Sequence, residues 1–150
     1  MKGEWRPLVP EDLVGQDIVT HQSGVTIRVF VSPFDVPEGV RGYYDDSAHV
    51  FRIEFKYPFD EELVPQAKAP DNLRLFVGKN SGRLKQIEVD VDALGAEVLL
   101  VHVVPNLVDQ AIEELSKSPP ARVRHANYDL TRKVISNHRR ELFDDLALAR

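Results

Sequence analysis

One central segment of the chain alternates strictly between apolar and charged residues. From residue 51 to residue 57 the odd positions are aromatic or branched, and the even positions are Arg52, Glu54 and Lys56. Successive side chains of a β-strand point to opposite faces of the sheet. The segment therefore predicts a strand that buries one face and presents a charged face to water.

Three further segments show the periodicity or composition of strands. Residues 24–31 alternate, and residues 73–77 and 84–91 flank the glycine-rich stretch 78–82. Glycine and asparagine accept the positive φ that a hairpin turn requires, so we expect 73–77 and 84–91 to pair as a hairpin. In the second strand of this pair we expect Ile87, Val89 and Val91 to face inward and Glu88, Asp90 and Asp92 to face outward.

The acidic run 60–62 is expected to be a solvated loop rather than a cation site, because it lacks the order of ligands in a calcium loop.

The last third of the chain carries both a continuous apolar run and helical periodicity. Residues 98–104 are apolar on both faces around His102, which predicts a strand that is covered on both sides. We expect helices from about 106 to 117 and from about 127 to 149, separated by the proline pair at 119–120. In the second helix, one side collects Leu130, Val134, Ile135, Leu142 and Leu146.

These elements predict an α+β fold. We expect an antiparallel sheet of about five or six strands with two C-terminal helices packed on it. The 150 residues are expected to form a single domain, mainly β over 1–104 and mainly α over 105–150.

Composition narrows the function classes. The chain has no cysteine, so disulfide frameworks, zinc ribbons and thiol nucleophiles are excluded. The N-terminus lacks the apolar stretch of a secretory signal, and there is no long apolar run for a membrane span, so a cytoplasmic location is expected. No motif indicates a cofactor or a metal ion.

Charge is distributed unevenly along the chain. The formal net charge is −5, yet residues 116–140 contain seven basic residues and one acid, a local charge of +6. Such a segment is typical of a site for an anion or an acidic partner. Its candidate binding residues are Arg122, Arg124, Arg132, Lys133, Arg139 and Arg140. The alternative is a solvated helix face, because Asp129 and Asp144 compensate part of the charge at helical spacing.

Two small groups of residues could carry chemistry. Asp45, Asp46 and His49 lie within five residues and could bind a metal ion or act as an acid–base pair, but aspartates are also typical of turns. His102 could be a catalytic histidine with a shifted pKa or a neutral core histidine with one hydrogen-bond partner. The structural interpretation, a turn for the first group and a neutral core histidine for His102, is favoured because no nucleophile or metal-ligand motif accompanies them.

The segment Tyr44-Asp45-Asp46-Ser47-Ala48-His49-Val50-Phe51-Arg52-Ile53 resembles the opening motif of a short prokaryotic β-rich domain family of unknown function. That family's motif reads Tyr-Asp-x-x-Ala-Asp-x-Leu-Tyr-Ile and closes on Gly-Arg-x-x-Gly-Ile-Glu-Ile, which residues 82–89 resemble. His49, Arg52 and Gln86 depart from the pattern. The resemblance covers about residues 44–93 and implies a small β-meander. Some members of the family resemble the antitoxin-side partner of two-protein systems.

Three functions follow as hypotheses. The first is a non-enzymatic, antitoxin-like protein-interaction module whose partner is another protein or a second copy of itself. Its contact surface would be the charged sheet face, made of Arg52, Glu54, Lys56, Glu88 and Asp90, together with the basic segment. The second is a nucleic-acid-binding regulator that uses the basic segment. The third is a small enzyme or metal-binding protein centred on Asp45, Asp46, His49 or His102.

Overall fold

The structure is a computed structural model that describes residues 4–8, 17–22, 25–30, 36–66, 72–94, 100–117, 122–144 and 146. Eight strands precede three α-helices in the described part of the chain. The strands are β1 (Arg6–Pro7), β2 (Asp17–Gln22), β3 (Val25–Phe30), β4 (Gly39–Asp45), β5 (Val50–Lys56), β6 (Leu63–Pro65), β7 (Leu73–Gly78) and β8 (Leu84–Val89). The helices are α1 (Leu100–Lys117), α2 (Arg122–Asn137) and α3 (Arg139–Phe143), and a short 3-10 turn spans Asp92–Leu94.

Six strands form one antiparallel sheet in the order β1-β4-β5-β8-β7-β6, and β2 and β3 pair separately as a hairpin. This arrangement confirms the α+β class, the six-stranded sheet and the two C-terminal helices that the sequence predicts. Strands β6, β7 and β8 run as a meander, whereas β5 lies beside β8 rather than beside β6. The order in this part of the sheet is therefore that of a Greek key.

Four of the five strands predicted from the sequence are present, as β3, β5, β7 and β8. In β5 the inward residues Phe51, Ile53 and Phe55 are at most 5% exposed, as the alternation predicts. Full burial of a side chain of this size contributes about 1.5–3 kcal/mol, so this strand anchors the core. The hairpin turn after β7 has Gly82 at φ 71°, where a side chain would be strained.

The strand predicted over 98–104 is wrong: its described part, residues 100–104, is the first turn and a half of α1, and residues 95–99 lie outside the described residues. Buried residues recur along α1 with helical spacing, at Leu100, Val104, Val108, Ile112 and Leu115. A short apolar run is compatible with both a buried strand and the apolar side of a helix. Here the helical spacing of the buried residues that follow the run distinguishes the two.

The second predicted helix is interrupted rather than continuous. It begins earlier than expected, at Arg122, and breaks at His138 before α3 begins. The five apolar residues of the predicted stripe are nevertheless all buried. Residues 147–149, the expected end of this helix, lie outside the described residues.

The helices lie on the inner face of the sheet. α3 touches β4 at Gly42, where an added Cβ would stand 2.3 Å from the backbone oxygen of Leu142. Phe143 stacks on Phe51 with 5.6 Å between ring centroids. The backbone contact at Gly42 is possible only without a side chain, so this glycine sets how closely α3 packs.

A buried polar side chain fastens α2 to the start of β8. Asn127 is fully buried; its Oδ1 accepts a hydrogen bond of 2.9 Å from the Leu84 amide, and its Nδ2 donates one of 3.0 Å to the Tyr57 hydroxyl. The Tyr57 hydroxyl donates in turn to the Leu84 carbonyl at 2.9 Å. Each of these groups is buried and therefore needs a hydrogen-bond partner within the protein. The side chain of Asn127 supplies that partner to the Leu84 amide and the Tyr57 hydroxyl.

Both edges of the six-stranded sheet end in short strands that contain proline. Pro7 lies in β1 and Pro65 in β6, and neither can donate a ladder hydrogen bond. Such edges resist addition of another strand. Separately, none of the helices in the described part of the chain is both long and apolar enough to cross a membrane.

Candidate functional site

The outer face of the sheet carries the charged residues that the sequence predicts, but they pair with one another across strands. Arg41 lies opposite Glu54, and Arg52 lies between Tyr43 on β4 and Glu88 on β8. Side chains directly opposite each other on neighbouring strands are close enough to interact. The face is therefore an ordered network of ion pairs.

The first part of this network is centred on Glu54. Arg41 Nη2 donates to both carboxylate oxygens of Glu54 at 3.2 Å, and the Tyr43 hydroxyl donates to Glu54 Oε1. Burial raises the pKa of Tyr43, and the neighbouring Glu54 carboxylate raises it further. The Arg41 guanidinium also lies 4.2 Å from the ring centroid of Trp5. A planar cation held on one side by a carboxylate and stacked on an indole has little freedom left.

The second part of the network is centred on Arg52. Its Nη1 donates to Asp45 Oδ2, and its Nη2 lies 3.7 Å from Glu88 Oε2. Gln86 Nε2 donates to Glu88 Oε1 at 3.2 Å. The side chains of Arg52, Asp45, Glu54 and Glu88 are between 11% and 22% exposed. The expectation of a solvated face is therefore wrong for Arg52, Glu54 and Glu88, whereas Lys56 and Asp90 are exposed as expected.

A groove of 290 Å³ opens at one end of this face. Its lining includes the aromatic rings of Trp5 and Phe59, the aliphatic side chain of Leu63, and the charged side chains of Lys56 and Lys85. Trp5 and Leu63 are each 37% exposed. Among the residues whose side-chain exposure the structure describes, only Val101, on α1, is a further large apolar side chain left this open to solvent. Two of these three side chains therefore meet at one groove.

An acidic residue expected in a solvated loop instead organises the wall of this groove. Glu61 Oε1 accepts hydrogen bonds from the Ser81 amide at 3.1 Å and the Ser81 hydroxyl at 2.8 Å, and Oε2 lies 3.9 Å from Lys85 Nζ. A Cβ at Gly78 would lie 1.5 Å from Oε1, so this carboxylate occupies the space that a side chain there would fill. Burial raises the pKa of Glu61, but the hydrogen bonds from Ser81 and the charge of Lys85 lower it more, so the net shift is downward.

Lys85 is itself almost fully buried, at the bulge between β7 and β8. Its Nζ lies 4.7 Å from the ring centroid of Phe59 and 5.5 Å from that of Tyr57. Burial lowers the pKa of Lys85, and the charge of Glu61 opposes that shift. Only the run of acids and the glycine-rich turn were visible in the sequence, and neither indicates that these two side chains meet.

The group Asp45, Asp46 and His49 forms a turn, as the structural interpretation predicts. Asp45 Oδ1 accepts hydrogen bonds from the amides of Ser47 at 3.0 Å and Ala48 at 3.3 Å, and His49 has φ 56°. Burial raises the pKa of Asp45, but these amides and Arg52 lower it more, so the net shift is downward. A search of the described residues finds no group of three His, Asp or Glu side chains that could hold a metal ion.

His102 is not the core histidine that the sequence suggested. It lies on α1 with its side chain exposed, because the segment is a helix and position 102 falls on its outer side. The structure does not place it with the turn at Asp45. The third hypothesis therefore has no assembled constellation in the described part of the chain.

The structure divides the candidate residues of the basic segment. Arg132 pairs with Asp109 of α1 through Nε at 3.0 Å and Nη2 at 3.1 Å. The hydrogen bond to Asp109 raises the pKa of Arg132. Lys133 is exposed and lines neither of the two cavities beside the helices that are described in the next paragraph. Arg122 and Arg124 lie in the first turn of α2, and their side chains lie outside the described residues.

The remaining two candidates, Arg139 and Arg140, lie together at the start of α3. Both line a cavity of 450 Å³ that His102 and Phe143 also line. Arg139 lines in addition a neighbouring cavity of 230 Å³ between α1 and α2, together with Arg132. The structure thus brings Arg132, Arg139 and Arg140 along one side of the helices.

Comparison of the chain with protein-family models, with curated proteins and with solved structures finds no match. The resemblance over residues 44–93 stays a prediction. The function rests on the geometry alone.

Proposed function

We propose that this protein is a non-enzymatic interaction module that binds a protein partner at the groove beside Trp5. The observation that carries the proposal is that Trp5 and Leu63, two of the three most exposed large apolar side chains of the described residues, line one groove. Exposed apolar side chains that converge on a concavity mark binding sites more often than scattered ones do.

The groove has the composition of a protein interface. Tryptophan is among the residue types that carry most binding energy at such interfaces, and the exposed Trp5 lines the groove. Arg41 is held by Glu54 and stacks under the indole of Trp5. A partner therefore meets a preformed surface and loses little free energy in ordering it.

The partner is expected to contact the face of the sheet and not its edge. Pro7 and Pro65 interrupt the two edge strands, so strand addition between copies of the chain or with a peptide is disfavoured. The groove instead offers the exposed apolar side chains of Trp5 and Leu63 among polar ones, with Lys56 and Asp60 also exposed. It suits a partner that inserts an apolar side chain and surrounds it with polar groups.

The test is affinity capture from host lysate, with and without nuclease, using the natural protein and the variants Trp5→Ser and Lys133→Gln. We expect a stoichiometric partner that survives nuclease, is retained by Lys133→Gln and is lost with Trp5→Ser. The captured protein is then purified, and titration against Trp5→Ser should show an affinity at least about tenfold weaker, the usual effect of removing an interface tryptophan. Equal affinity for both forms, or recovery of nucleic acid as the only partner, would contradict the proposal. Sedimentation equilibrium of the purified protein separates binding of a second copy from binding of a different chain.

A further inference from the structure

The cavity lined by Arg139 and Arg140 has a chemistry different from that of the groove beside Trp5. Its lining consists of Val101, His102, Arg139, Arg140, Phe143 and Asp144. Two guanidinium groups and one imidazole face a single carboxylate, and Val101 is one of the most exposed large apolar side chains described. The cavity therefore combines a cationic rim with an apolar patch.

Neither arginine is engaged as Arg132 is. Among the described residues, no carboxylate lies within ion-pair distance of Arg139 or Arg140, whereas Arg132 holds Asp109 through two hydrogen bonds. Both Arg139 and Arg140 are exposed. Arginine presents a planar fork of donors that matches phosphate and carboxylate oxygens.

The position of the two arginines is fixed by packing beneath them. α3 rests on Gly42 of β4 through the backbone of Leu142, and Phe143 stacks on Phe51. Leu142 and Phe143 are both buried. The cationic rim is therefore held by a rigid attachment to the sheet.

The size of this cationic group indicates what it can bind. A polynucleotide is usually held by a series of phosphate contacts along a basic stripe. Here Arg132 is neutralised by Asp109, and Lys133 does not line the cavity. Of the basic-segment side chains that the structure describes, Arg139 and Arg140 line this cavity together with His102, and its volume of 450 Å³ is within the range of small-ligand pockets, about 300–1,000 Å³.

We propose that this cavity binds a small molecule that joins one phosphate group to an apolar body, with the phosphate at Arg139 and Arg140 and the body against Val101 and Phe143. The site is separate from the groove beside Trp5 and does not depend on the proposed protein partner.

The test is an NMR titration of the ¹⁵N-labelled protein with phenyl phosphate, with inorganic phosphate and phenol as the two halves of the probe. We expect saturable shifts of the amide signals of Val101, His102 and Phe143 with phenyl phosphate, and weaker binding of either half. In the double variant Arg139→Gln and Arg140→Gln, the affinity should fall by about tenfold or more, since hydrogen bonds to charged groups are lost. The matched control Lys133→Gln should bind like the natural protein, and the spectra themselves show whether each variant is folded.

Several results would overturn the proposal. Absence of saturable shifts at these three amides would do so, as would unchanged affinity in the folded double variant. If inorganic phosphate bound as tightly as phenyl phosphate, the apolar body would contribute nothing to binding. If phenol bound as tightly as phenyl phosphate, the phosphate group would contribute nothing. A single-stranded oligonucleotide that binds more tightly than phenyl phosphate, and is weakened by Lys133→Gln as well, would assign the surface to nucleic acid instead.

Discussion

The charged face of the sheet and the basic surface of the helices look alike in sequence but differ in how their charges are used. On the sheet, Arg41 forms an ion pair with Glu54 and Arg52 forms one with Asp45, in each case on the neighbouring strand. Lys85 lies next to the carboxylate of Glu61. On the helices, Arg139 and Arg140 stand at an open cavity. Removing one partner of a half-buried ion pair leaves an uncompensated charge and destabilises the fold, whereas charges that face a cavity are available to a ligand. The comparison therefore separates structural charge from functional charge.

The largest effect is expected where the two regions meet. Gly42→Ala places a Cβ 2.3 Å from the backbone oxygen of Leu142, so α3 has to move away from β4. Overpacking of this kind typically costs 1–3 kcal/mol, and we expect about 3 kcal/mol of the free energy of unfolding because the neighbour is backbone. Urea unfolding measures the loss. Gly39→Ala is the matched control: its nearest contact would be 3.3 Å, and its cost should be below about 1 kcal/mol. Equal losses for the two variants would contradict the close packing of α3.

An effect of similar size concerns the buried pair Lys85 and Glu61. Lys85→Met leaves the Glu61 carboxylate, whose side chain is 5% exposed, without its cation. We expect the free energy of unfolding to fall by about 3 kcal/mol, since removal of one partner strands a buried charge. The double variant Lys85→Met and Glu61→Gln should lose less than the sum of the two single variants. Strict additivity in urea unfolding would show that the two charges do not interact.

A smaller effect is the dependence of stability on pH. The pKa values of Asp45 and Glu61 are lower in the folded protein than their ordinary values of 3.8 and 4.5. The stability they contribute is present above those ordinary values and is lost as the pH falls through the lower folded values. Urea midpoints measured from pH 7 downward should therefore decrease below about pH 4.5, and the decrease should be shallower in Glu61→Gln. Parallel curves for this variant and the natural protein would exclude a role for the Glu61 carboxylate.

Alternation of residue types predicted the centre of the sheet because each of those strands buries one face. The sequence did not show β4, whose two glycines and two adjacent tyrosines break the alternation, although Gly42 is required by the contact with α3. The sequence prediction placed a boundary between a strand and a helix after residue 104, but Pro105 lies within α1. Helical spacing from Leu100 to Leu115 was the signal that could have corrected this prediction.

The candidate site was only partly predictable. The sequence identified the arginines of the basic segment, but pairing decides which of them are available, and Asp109, the partner of Arg132, is 23 residues away. Trp5 gave no signal at all, because its contact with Arg41 depends on the pairing of β1 with β4. Contacts between distant segments determine both surfaces, and no local pattern encodes them.

The most direct test of this separation of charges is parallel urea unfolding of Arg52→Gln and Arg140→Gln. Arg52 pairs with Asp45 and Glu88 in a network about one-fifth exposed, so its replacement should lower the free energy of unfolding by about 2 kcal/mol. Replacement of the exposed Arg140 should change it by less than about 0.5 kcal/mol. Equal losses, or a larger loss for Arg140→Gln, would contradict the conclusion that the paired charges of the sheet hold the fold and that Arg139 and Arg140 are free to bind.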